Sequence, residues 1–309
     1  MTYIMRYLFF FCLIYVSTAI AASDISLVEC KKLAELKGAP GSDMKLPSDV
    51  SVGPQGRIYV ADSGNRRVLV YSSVGKYLFS FGKGGDGPGE LASPVGIAVT
   101  RDGRVLVADR GNNKIQIYNR DGEFIREILA KVDGKAYTPI DVAVDNAEKR
   151  IYVSVSSPFH QLFILDNSGK ILSKVGKPGN NEGEFRYPAT IAVSPDDEIY
   201  VVDVLNTRAQ VFDSKGQFLV TVGSWGVTQG QLFRPKGIAL TENRRILVSD
   251  SYLGVVQTYS SDTRFQGVLA MQGDIARFTT PVGMAVDSRN RVYIAEAMAN
   301  RVSICQLAI

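Results

Sequence analysis

A chain of 309 residues with 45% hydrophobic and 21% charged side chains and 29 glycines has the make-up of a folded, turn-rich protein, which excludes a disordered or fibrous one. Its 35 basic and 31 acidic residues leave a net charge of +4, short of the dense basic clustering of a nucleic-acid groove. A single histidine, His160, rules out a centre built from several.

The first predicted element is an export signal. Arg6 precedes an unbroken apolar run from Leu8 to Val16, and Ala19-Ile20-Ala21 supplies small residues for cleavage. The apolar stretch from Tyr7 to Ala22 falls short of the roughly 20 residues that span a bilayer. The expectation is a cleaved leader over 1–22 and a mature chain over 23–309, periplasmic or secreted, with no membrane span. Cys12 lies inside the apolar run and no cysteine follows the small residues, which argues against a lipid anchor.

Farther along, the chain repeats itself. Pro47, Pro94, Pro139, Pro188, Pro235 and Pro281 each open an apolar strand, at spacings of 45 to 49 residues. A period in the forties with several short strands per copy marks propeller blades, because each unit must stack on its neighbours to bury its faces. Alternation and turn residues divide the second copy into four strands: Gly96 to Thr100, Arg104 to Asp109, Lys114 to Asn119 and Glu123 to Leu129. Arg101-Asp102-Gly103 and Arg120-Asp121-Gly122 form the tight turns between them, with glycine supplying the positive φ. Runs such as Ile58-Tyr59-Val60-Ala61 lack polar alternation and suit strands covered on both faces. The expected fold is all-β: a single six-bladed β-propeller of four-stranded antiparallel blades.

The repeated segments read Pro-x-Gly-Ile-Ala-Val (Pro94 to Val99), then Tyr-Val-Ala-Asp with a following Asn and Arg-Val (Tyr59 to Val68), then a glycine-rich connector (Gly82 to Leu91, Gly176 to Phe185, Gly223 to Leu232). In these residues the chain resembles the NHL-repeat family over essentially all of its mature length. Three copies depart from the pattern after their second strand, at Val155 to His160, at Ser251 to Gly254 and at Glu296 to Ala299. Those loops are the most individual part of the surface.

The last copy supplies three strands, Gly283 to Asp287, Arg291 to Glu296 and Arg301 to Gln306. Cys30 to Lys37 is similar in pattern to the outer strand Gly75 to Phe81, so the N-terminal segment is expected to complete the last blade, leaving no ring edge open. Cys30 and Cys305 then fall in adjacent strands, where either a disulfide or two buried thiols is allowed.

Asp62, Asp109, Asp203 and Asp250 recur at the ends of second strands. There a short acceptor bonds turn amides, and Arg67 and Arg208 stand ready to pair with the first and third of them. Recurrence in blade after blade assigns them structural duty. The resemblance brings in related lyases with histidine-bound zinc, a set this chain cannot assemble, and calcium-dependent lactonases. For the latter, Asp49 and Asp141 are the candidate metal ligands, each two residues after a blade proline near the channel mouth, and they are too few alone for calcium. No other cofactor is expected. Connectors and the loops after the second strands emerge on one face, and the residues placed there are Lys83, Arg110, Phe159, His160, Arg186, Trp225, Arg234, Tyr252 and Met298. Relatives of the family bind single-stranded RNA on this face, but export and modest charge argue against a nucleic-acid partner here. The first expectation is a monomeric, non-enzymatic scaffold that binds a protein or small polymer. The alternative is a lactonase- or lyase-like enzyme at the channel mouth.

Overall fold

The computed structural model describes residues 25–308, so the predicted leader lies outside the described residues. Six four-stranded antiparallel blades follow one another round a ring. Each runs from an inner strand at the channel to an outer strand at the rim. In the second blade the strands are Pro94–Val99, Val105–Asp109, Lys114–Tyr118 and Phe124–Leu129, within two residues of the bounds read from sequence.

Burial follows the pattern of the side chains. Second strands such as Ile58–Asp62 and Ile199–Asp203 are buried at every position. The outer strand Ile171–Val175 alternates between half-buried and exposed along most of its length. Each core lies between blades. Tyr59, Ala61 and Val70 of the first blade pack with Val105, Val107 and Tyr118 of the second. No blade can bury these faces alone, so packing energy and ring closure are the same thing.

Every inner strand carries a register shift just after its proline, as between Pro47 and Asp49, Pro139 and Asp141, and Pro281 and Met284. The irregularity frees backbone amides and aims the second residue after each proline at its neighbours. Three of these positions are glycine for lack of room. A Cβ on Gly96 would sit 2.6 Å from the Cα of Asp141, and one on Gly283 would sit 2.7 Å from the Cα of Asp49.

The strand Leu27–Leu36 seals the ring. Cys30 to Leu36 run antiparallel to Arg301–Leu307, with Cys30 opposite Leu307 and Leu36 opposite Val302, which completes the sixth blade as expected. Its first residues do something the sequence did not signal: Leu27 to Glu29 run parallel to Val268 to Ala270 on the outer strand of the fifth blade. One strand therefore bridges two blades into a continuous sheet. Arg301 donates to Glu35 at 3.1 Å, and a Cys30–Cys305 disulfide crosses the seam. Leu36, Val302 and Tyr293 share a core with Val50 and Val60 of the first blade, so the ring meets itself through packed apolar residues.

Candidate ligand site at the channel mouth

The face bearing connectors and second-to-third-strand loops is tied together by the recurring acids. Asp62 accepts from the Lys45 amide, Asn65 and Arg67, the last at 2.7 Å. Asp203 accepts from the Arg186 amide, Asn206 and Arg208. Asp250 takes four amides, those of Phe233, Arg234, Tyr252 and Leu253. Glu296 replaces aspartate in the sixth blade and does the same work, accepting from the Thr279 amide and Arg301. Each is buried and holds a connector against the next loop, which is the structural role the repetition implied. Buried glutamines that sequence reading passed over hold the connectors from below: Gln116, Gln210 and Gln257 accept from the amides of Gly89, Gly183 and Gly230. The signal was their recurrence at the middle of third strands.

On this rigid face the channel opens through a cavity of about 140 Å³. Its rim is the ring of first residues after the blade prolines: Ser48, Val95, Ile140, Ala189, Lys236 and Val282. Its floor comes from the second residues after them, Asp49, Asp141, Thr190 and Gly283 among them, and Arg110 and Tyr187 reach in from neighbouring loops. Below the floor a further cavity of about 250 Å³ runs down the axis, lined by all six inner strands and sharing Asp49, Asp141 and Thr190.

The two floor carboxyls are 6% and 4% exposed. Asp49 accepts from its own neighbour Val50 and from Ile97 of the second blade, both at 2.9 Å. Asp141 accepts from Ile191 of the fourth blade at 2.8 Å, and its other oxygen, Oδ1, meets no donor. Burial drives both pKa values up, that of Asp49 well above the carboxylate range with the charge of Asp141 adding to it, and that of Asp141 to about 7. The two buried acids interact, so each raises the cost of charging the other, and both are pushed toward the protonated form.

Calcium does not fit this pair. The ion takes six to eight oxygen ligands, whereas these carboxyls commit oxygens to backbone amides and share their mouth with Arg110 and Lys236. Among the described residues no group of three or more His, Cys, Asp or Glu side chains could hold a metal ion.

Arg110 alone of the nine expected face residues lines the mouth. Arg234 lies close enough to Lys236 that its charge, with that of Arg110 and after burial itself, lowers the pKa of the lysine. Trp225, Tyr252 and Met298 stand out on the same face at 71%, 61% and 64% exposure. Tyr252 stacks on Phe233 with ring centroids 4.3 Å apart. Lys83 is exposed and paired with Glu90 at 2.9 Å, while Arg186 is exposed and free of any ion pair among the described residues. Phe159 and His160 turn inward. The phenyl ring packs 5.8 Å from Phe163, and Nδ1 of His160 accepts from the Tyr187 amide. Lys236 and Tyr187, which the sequence reading did not select, belong to the mouth, and the Lys236 ammonium sits 5.9 Å from the centroid of the Tyr187 ring.

A family model described as a 6-bladed beta-propeller matches residues 44–143 and 139–207. Curated proteins yield no match in sequence. Among solved structures the chain is similar to a gluconolactonase from Xanthomonas campestris, at 16% identity and TM-score 0.68 over 92% of this chain and 97% of that one. It is also similar to a streptogramin B lyase, at 13% identity and TM-score 0.64 over 89% and 97% of the two chains. A virginiamycin B lyase from Staphylococcus aureus matches at 14% identity and TM-score 0.61 over 88% and 83%. Likeness at such identities is a likeness of fold.

Proposed function

Since this chain belongs to the 6-bladed beta-propeller family DUF5128, we propose that it is an exported, NHL-type scaffold that binds a protein or small polymer on its connector face without chemical turnover. One observation carries the reading. A face stiffened by buried acids and glutamines presents exposed Trp225, Tyr252 and Met298, with Arg110 at the mouth and Arg234 exposed beyond it, both free of ion pairs among the described residues, the mixture of aromatic and arginine anchors that binding surfaces use. The Cys30–Cys305 disulfide supports an oxidising compartment, and no helix among the described residues is long and apolar enough to cross a membrane. The expected outcome is a partner retained from the exported fraction by wild type and lost, at unchanged melting temperature, by Trp225→Ala combined with Tyr252→Ala. Retention by that variant would remove the rim from the binding surface.

A second reading, a lactonase- or lyase-like enzyme, is favoured by the paired buried carboxyls beneath an open mouth, because buried acids with raised pKa values often serve as general acids or bases. Turnover of a lactone that disappears in Asp141→Asn, with the fold retained, would establish it over the scaffold.

A further inference from the structure

We propose that the channel mouth is a binding site for the carboxylate or phosphate group of a small molecule, held by Arg110 and Lys236, with the charge of Arg234 nearby. This rests on the reading of the connector face as a binding face and specifies what its centre takes.

The argument begins with charge. Several half-buried arginines elsewhere meet acids: Arg67 with Asp62, Arg208 with Asp203, Arg244 with Asp196 and Glu198, and Arg291 with Asp287. Arg110, Arg234 and Lys236 form no ion pair within 4.0 Å among the described residues, although they lie near one another. Lys236 is half-buried at the rim, where it loses water and feels two like charges. Such an arrangement is electrostatically costly when empty, and a bound anion relieves it; within low-dielectric walls the potential is focused on the opening.

The floor adds a second, independent feature. Asp141 Oδ1 lies more than nine-tenths buried at the boundary of the two axial cavities with no donor directed at it. Burial favours the protonated form of Asp49 and Asp141, which lessens the repulsion that an oxyanion seated above the floor meets. The hydroxyl of Thr190 is spent on the Lys236 carbonyl at 2.6 Å and that of Ser48 on the Pro94 carbonyl at 3.3 Å, so the anion must be taken by the cations and the acid. Size sets the rest. About 140 Å³ holds one planar or tetrahedral oxyanion with a few attached atoms. Guanidinium groups pair with both carboxylate and phosphate through two parallel bonds, so the chemistry is common to the two classes.

The test is calorimetric titration of the mature protein with inorganic phosphate and, separately, with succinate, at low ionic strength. Binding of at least one is expected, weakening with added salt. Arg110→Gln and Lys236→Gln should each weaken it about tenfold, equivalent to roughly 1.4 kcal/mol, and the double variant should abolish it. Arg120→Gln, on an exposed arginine in the turn between third and outer strands of the second blade, should leave it unchanged. Matching melting temperatures keep misfolding out of the comparison. Preference for phosphate or for succinate tells which class the site suits. Failure of both probes to bind wild type, or binding undiminished in the double variant, overturns the proposal. Neither result touches partner retention through Trp225 and Tyr252, which fails or stands on its own experiment.

Discussion

Asp49 and Asp141 were identifiable in the sequence as oxygens near the axis, but their state was not, because burial and their mutual contact arise only when the first and third blades meet across the channel. Their stability linkage has a definite sign. A carboxyl whose folded-state pKa is raised binds more protons folded than unfolded. Its contribution is therefore complete below the free-carboxyl value of about 3.9 and is lost as pH climbs through the folded-state value, about 7 for Asp141. Thermal unfolding between pH 4 and pH 8 should show wild type losing stability relative to Asp141→Asn, by an amount on the order of 2 kcal/mol. Parallel profiles for the two proteins would mean that burial does not raise the pKa of Asp141 in the fold. Lys236 shows how a mouth residue escapes a sequence reading. It stands one place after Pro235, where the other copies have Ser48, Val95, Ile140, Ala189 and Val282, so comparing that column alone singles it out as the one charge. Phe159 and His160 have internal contacts that the loop sequence did not signal, the ring against Phe163 and the imidazole against the Tyr187 amide.

Among the elements, the blades were the most legible, because proline, glycine turns and β-branched runs recur with a fixed period and strand type follows directly from them. The closing strand was legible in part. Its pairing with Arg301–Leu307 follows from a missing fourth strand, whereas its parallel start along the fifth blade depends on where the chain enters the ring, a property no local pattern encodes. The disulfide fastens this element across a separation of 275 residues. Replacing both Cys30 and Cys305 by serine should cost roughly 4 to 5 kcal/mol on the chain-entropy account, less any strain relieved. The denatured, unreduced mature protein should show no titratable thiol, and finding two would remove the bridge.

At the scale of the whole molecule, ring closure turns the sequence into a site. The mouth exists only because six inner strands bring the first and second residues after their prolines into two stacked rings, and the acids at the ends of second strands hold the surrounding loops in register. Each blade buries its faces on its neighbours, so loosening one seam exposes core on both sides and disturbs the face that seam supports. The seam between the last and first blades is the one made by chain ends, and Leu27–Leu36 is its key. Thermal unfolding of the mature protein beside a variant lacking residues 25–37 tests this most directly. The ring account predicts a markedly lower or uncooperative transition for the variant, and an unchanged melting temperature would contradict it.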